Sequence, residues 1–147
     1  MNNVLSKFFN NNELSIPIWF LRQSGRHIPE YFELRNQESN FIDFCLNKEL
    51  IVKSTKLPLK YYNLDAAIVF SDILMIPWAM NGNVNFIKGI GPRLQPMIPD
   101  ETKILKNISI FNKLEPLQES ISILRKELPK SKSLIGFAGA PWTLACY

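Results

Sequence analysis

The densest stretch of reactive side chains is Arg-Gln-Ser-Gly-Arg-His at 22–27, directly after the apolar run 16–21 (IPIWFL). Arginine suits the clamping of carboxylates, because its planar fork stays charged at any working pH and donates two parallel hydrogen bonds. Arg22 and Arg26 are therefore candidates for holding an anion with several carboxylates. Gln23 adds neutral donors and an acceptor, and Gly25 permits tight backbone curvature beside a ligand. The competing reading makes both arginines surface cations paired with acids such as Glu30 or Glu33. Their place at the end of an apolar run favours the clamp. His27 is the only histidine and has no second ligand at helical or hairpin spacing, which argues against a metal site. Asp72 follows a second apolar run, 65–70 (DAAIVF), and reads first as the N-cap of 73–80 (ILMIPWAM), with Ser71 as the other cap candidate. The alternative is a functional carboxylate. Tyr147 is either a hydroxyl at a strand-end rim or a frayed last residue, and Trp19, Trp78 and Trp142 read as packing.

These residues need elements to position them. The run 16–21 predicts a buried strand, and so do 65–70 and 133–139 (SLIGFAG), each of strand length. Between them, 47–63 carries Leu50, Ile51, Thr55 and Leu59 at helical spacing, with Pro58 expected to kink it or cap a turn. The segment 115–128 places Leu117, Ile121, Leu124 and Leu128 on one face and predicts an amphipathic helix, Pro116 lying in its first turn. Glycines at 82, 89 and 91 with Pro92 mark 83–96 as a small hairpin or irregular excursion, and Pro141 opens a last helix. Strands alternating with helices imply an α/β fold with a parallel sheet, whose ligands gather at the carboxyl ends of the strands. All three predicted strand ends carry marked residues: RQSGR, SD and GAPW. A complete (β/α)8 barrel takes about 250 residues. The chain is therefore expected to be a partial TIM-type barrel, its first strands and helices only, with residues 1–14 as a flexible leader.

Composition narrows the class. Of 147 residues, 46% are hydrophobic and 20% charged, as in globular chains, and the net charge of +4 is spread rather than gathered. That bias helps an anion approach but lacks the basic stripe of a nucleic-acid groove. Cys45 and Cys146 form no CxxC pair, so reduced thiols in a cytoplasmic setting are expected. No segment is uniformly apolar over the roughly 20 residues of a membrane span.

Four blocks, PIWFLRQSGRHIPEYFELR, LDAAIVFSDILMIP, GIGP and GFAGAPWTLACY, closely resemble in order and spacing the N-terminal part of the uroporphyrinogen decarboxylase family. The resemblance implies a (β/α)8 barrel, homodimeric in the family, that removes carbon dioxide from four acetate side chains of uroporphyrinogen without cofactor or metal. It implies that Arg22, Gln23, Ser24, Gly25 and Arg26 form a substrate-binding loop and that Arg35 binds a carboxylate. It also implies that Asp72 sits at the centre of the macrocycle, accepting from pyrrole N–H groups, and that Tyr147 lies at the substrate site. On this ground Asp72 passes from cap to key acid.

The match has departures. The family's RQAGRY stands here as RQSGRH, and Phe32 occupies a place where arginine is common after PEY. The family's later serine and histidine contacts fall beyond residue 147, so activity is expected to need the remaining half, from a complementary C-terminal chain if the gene is split. Two other expectations stay open: a corrinoid-dependent methyltransferase of the same superfamily, which binds zinc through His and Cys, and an inactive remnant that only binds porphyrin-like anions.

Overall fold

The computed structural model describes residues 3–10, 16–20, 24–87, 89–96 and 110–147. Its organising unit is a helix followed by a parallel strand, and it occurs twice. Helix α4 (Lys48–Lys56) is started by Asn47, whose side-chain oxygen accepts from the N–H groups of Glu49 and Leu50. It ends at Leu57, where Pro58 opens the four-residue α5 (Pro58–Tyr61), as the proline required. Strand β1 (Ala66–Ile68) follows. The second unit is α8 (Glu115–Glu127), with Pro116 in its first turn, and then β4 (Ser133–Ile135).

The two units lie side by side. β1 and β4 pair in parallel, Ala66 with Ser133 and Ile68 with Ile135. Ser133 N–H donates to the Asp65 carbonyl and Val69 N–H to the Ile135 carbonyl, extending the ladder beyond both ends. The helices run in parallel as well: Lys48 pairs with Glu119 at 2.9 Å and Lys56 with Glu127 at 2.7 Å, both across 71 residues. At their crossing the fully buried Ser120 donates to the Pro116 carbonyl at 2.6 Å and reaches the Lys48 carbonyl at 3.4 Å, a small side chain that lets the backbones approach. Ile51 and Val52 of α4, Leu124 and Leu128 from α8, and Ala67 and Val69 from the strand close one core between helices and sheet. The face of α8 thus runs through Leu117, Ser120 and Leu124 rather than Ile121, which is 41% exposed.

Two parallel strands with crossover helices establish the predicted α/β class. The strand expected at 16–21 is not seen over its described residues: 16–20 are irregular, and Ile16, Ile18, Trp19 and Phe20 are exposed. Pro17 lacks an N–H for a ladder, and a run apolar on both sides has no cover on either. Among the described residues of the run, Ile18 exchanges two 2.8 Å hydrogen bonds with Asp65, one to its carboxylate and one from its N–H, and Phe20 meets the Tyr62 ring edge-on at 6.0 Å. The predicted packing role fails for Trp142 too, 80% exposed, whereas Trp78 packs on the core.

Around this frame stand elements the periodicity did not announce. Asn3 caps α1 (Val4–Phe9) in the polar leader. Pro29 opens α2 (Pro29–Arg35), and Asn40 caps α3 (Phe41–Leu46). The small hairpin or irregular excursion expected at 83–96 is an antiparallel hairpin of β2 (Val84–Ile87) and β3 (Gly91–Leu94), with Gly89 and Gly91 both at positive φ. Between β1 and β2 lies α6 (Met75–Ala79); α7 (Ile110–Lys113) precedes α8, and α9 (Pro141–Ala145) follows β4. Among the described residues no helix is long and apolar enough to cross a membrane.

Candidate functional site

Asp72 is set by the way β1 ends. After Val69 has made the last ladder bond, the chain leaves the sheet, and the Phe70 N–H turns to the hydroxyl of Thr55 on α4 at 2.8 Å. Thr55 is 1% exposed, so this bond fixes the departure point from inside the core. Ser71 and Asp72 follow, both half-buried. Asp72 Oδ1 accepts from the Leu74 N–H at 2.9 Å and its carbonyl from the Met75 N–H at 3.2 Å. The sequence read Asp72 as the N-cap of a helix over 73–80; α6 instead starts at Met75 with Leu74 at its cap position and no side-chain cap, so the Asp72 bond closes a local turn ahead of the helix. Among the described residues Oδ2 has no partner, so the carboxylate is held by one oxygen and offers the other.

The loop after β4 packs beside this one. A Cβ on Gly139 would come within 2.6 Å of Leu144 Cδ2 and 3.3 Å of Ile73 Cβ, so the glycine lets the 136–140 segment close against the Asp72 turn. The carboxyl ends of both strands therefore form one rim.

An aromatic cluster floors this region: Phe70 meets Phe44 edge-on at 5.1 Å, and Phe41 meets Phe86 at 4.7 Å. Arg35 lies over it, its guanidinium carbon 5.4 Å from the Phe41 ring and 5.6 Å from that of Phe44, while Nη1 donates to the Glu38 carbonyl. Cys45, fully buried nearby, has its thiol pKa raised by burial and by the Asp72 charge, with Arg35 opposing. Arg35 and Asp72 thus act on the same buried thiol with opposite sign.

The loop 24–28 is placed differently. Ile28 N–H closes a turn on the Gly25 carbonyl at 3.0 Å, His27 stacks on Tyr62 with centroids 6.4 Å apart, and Tyr61 donates to Glu30. That bond holds the Glu30 carboxyl below its ordinary range and raises the Tyr61 hydroxyl. Arg26 is exposed and makes no ion pair among the described residues, so Glu30 has a tyrosine rather than an arginine for its partner. The chain bends at Gly25 and turns back through the Ile28 bond to its carbonyl, the curvature expected there, but Gly25 is not in the left-handed region and a Cβ would meet only His27 Nδ1 at 3.8 Å, so the bend does not require glycine. The Ser24 hydroxyl is buried without a hydrogen-bond partner. Arg22 and Gln23 lie outside the described residues. Tyr147, after α9, is 48% exposed, and no described contact joins it, Ser24 or Arg26 to Asp72. The sequence reading missed Thr55 as a positioning residue and the aromatic floor; a lone hydroxyl at a helical core position was the available signal for the first.

An α/β chain with a half-buried carboxylate where a parallel strand ends, beside a second strand-end loop and an arginine, has the makings of a strand-end ligand site. Residues 2–147 match the family described as uroporphyrinogen decarboxylase (URO-D), and the chain belongs to that family. Proteins named uroporphyrinogen decarboxylase from Sinorhizobium fredii and Chelativorans sp. are 47% and 46% identical to it over 131 residues, and one from Brucella anthropi is 44% identical. Each alignment covers 89% of this chain but 38% of the relative, so the chain spans little more than a third of the length of these proteins.

Proposed function

We propose that this chain supplies the substrate-facing front part of a (β/α)8 enzyme that converts uroporphyrinogen III to coproporphyrinogen III by removing four acetate carboxyls. The reading rests on one observation above others. Asp72, the acid that the resemblance makes central, lies at the carboxyl end of a parallel strand with one oxygen held and one offered.

The chemistry needs little from the protein beyond charge placement. Protonation of a pyrrole carbon makes the ring cationic. The bond between the acetate methylene and its carboxylate then breaks, its electron pair enters the ring, carbon dioxide leaves, a second proton adds at the methylene carbon to make a methyl group, and the ring carbon gives up the first proton to restore the pyrrole, so that one proton is taken up overall. The Asp72 anion, fixed in advance, stabilises the cationic ring without reorganising at the moment of reaction. Arg22, Arg26 and Arg35 hold the substrate's carboxylates, with Gln23, Gly25 and the unpartnered Ser24 hydroxyl completing the loop and Tyr147 closing the rim. The assembled enzyme is a cytoplasmic homodimer, and this chain needs the remaining part of the family's length to turn over.

The test is anaerobic conversion of uroporphyrinogen III, followed by chromatography of the oxidised products. The chain is assayed alone and with a polypeptide supplying the rest of a relative's length. Product is expected only in the complete assembly. Asp72→Asn keeps the Leu74 hydrogen bond while removing the charge, and should cut turnover by about 100- to 1,000-fold. Turnover within a few-fold of the parent would refute the role given to Asp72.

A further inference from the structure

Tyr61, Tyr62 and Asp65, at and just after the end of α5, take hold of the entry stretch of the chain at Ile18, Phe20, His27 and Glu30. Asp65 carries Ile18, and the Tyr62 ring meets Phe20 edge-on and stacks on His27 at 29° from parallel. Tyr61 donates to the Glu30 carboxylate in the first turn of α2. That bond lowers the pKa of the acid and raises that of the phenol, so both keep their bonding forms around neutral pH. The residues that hold have a firm base. Leu57 and Leu64, on either side of α5, are each 2% exposed, and the Tyr62 N–H donates to the Pro58 carbonyl at 3.0 Å.

What they hold is tied to the core on its far side alone. Ile28 and Tyr31 sit in a core cluster with Phe44, Leu50 and Leu57. Residues 24–27 are half-buried or exposed, and among the described residues one backbone hydrogen bond crosses them, from the Ile28 N–H to the Gly25 carbonyl. The exposed Arg26 stands in this span, next to the stacked His27. A cation on a loop that is already ordered spares an incoming ligand the cost of ordering it.

We propose that Tyr61 and Tyr62 are positioning residues that clasp the 24–30 segment and so present Arg26 to an anion from a preset place. The nature of that anion rests on the function proposed above; the clasp does not, and the family resemblance assigns no role to Tyr61, Tyr62 or Glu30.

Amide hydrogen exchange on the full chain tests the clasp without turnover. Tyr61→Phe removes only the hydroxyl, and it should speed exchange at Ile28 by at least about threefold while Ile51, bonded within α4, exchanges as in the parent. The ring 1H signals of His27, the only histidine, should move in the same variant towards those of a free imidazole. Glu30→Ala should act alike, and the double variant should do no more than either alone. In the completed enzyme assembly, Tyr61→Phe should raise KM for uroporphyrinogen III by at least about threefold with kcat within about twofold. The proposal is overturned by parent-like exchange at Ile28, by equal acceleration at Ile51, by additive effects in the double variant, or by a fall in kcat at unchanged KM. Absence of turnover in the parent assembly counts against the decarboxylase reading instead, and the exchange and His27 signals then decide the clasp.

Discussion

Thr55→Val would test whether the core of the molecule aims the candidate acid. Valine has threonine's shape, so packing is preserved and only the acceptor for the Phe70 N–H is lost. A donor left without a partner costs about 1–3 kcal/mol; Phe70 is only half-buried and water can reach part of it, so we expect about 1–2 kcal/mol. Urea unfolding should show that loss as a lower midpoint at unchanged slope. Amide hydrogen exchange gives the sharper readout. Exchange at Phe70 should speed by roughly 5- to 30-fold, the factor corresponding to that energy, with smaller effects at Asp72 and Leu74. Thr55→Ser, which keeps the oxygen and loses a methyl group, should leave the Phe70 amide protected even though packing weakens. Unchanged exchange at Phe70 in the valine variant would refute the argument that Thr55 sets where the chain leaves the sheet.

Leu124 is fully buried between α4 and the strands, so Leu124→Ala should destabilise by about 2–5 kcal/mol, whereas Ile121→Ala on the exposed side of the same helix should stay within about 1 kcal/mol; urea unfolding of the two separates the faces. Cys45 predicts a pH dependence. Its thiol pKa is raised from 9.0 by burial first and the Asp72 charge second, so the folded state keeps a proton that the unfolded state gives up. Stability should be unaffected by this group below pH 9 and fall above it, by at most about 1.4 kcal/mol per pH unit, and Cys45→Ala should remove the slope. A thiol reagent at pH 8 should titrate Cys146 in the native protein and both cysteines in denaturant.

Much of the frame was legible because it depends on local signals. Pro58 and Pro116 marked where helices break and begin, and the glycines at 89 and 91 marked a turn that now proves to need positive φ. What escaped was context. The run 16–21 has the composition of a strand, but pairing depends on neighbours that composition does not reveal, and among its described residues Ile18 alone found a backbone partner. Ile121 lay on the expected face of α8, yet the parallel approach of α4 favoured the small Ser120 at the crossing and turned Ile121 outward. The short helices α2 and α3 are too brief for periodicity, and their signals were Pro29 and Asn40, single residues at their starts. Asp72 was read first as the cap of a helix over 73–80, but that helix starts only at Met75 without a side-chain cap; the bond to Leu74 closes a local turn and engages one carboxylate oxygen.

The parallel pairing also sets a timetable for synthesis. Paired residues of β1 and β4 stand 67 positions apart, 66 with 133 and 68 with 135. At 5–20 residues per second a ribosome needs about 3–13 s to cover that distance. For that interval the apolar side of α4 and the edge of β1 that will receive β4 wait without their cover, since Leu124 and Leu128 emerge only at the end of it. The nascent chain therefore passes through a stage lasting seconds in which its first helix–strand unit is complete in sequence but unsheltered, and holdase chaperones would have their longest opportunity to bind there.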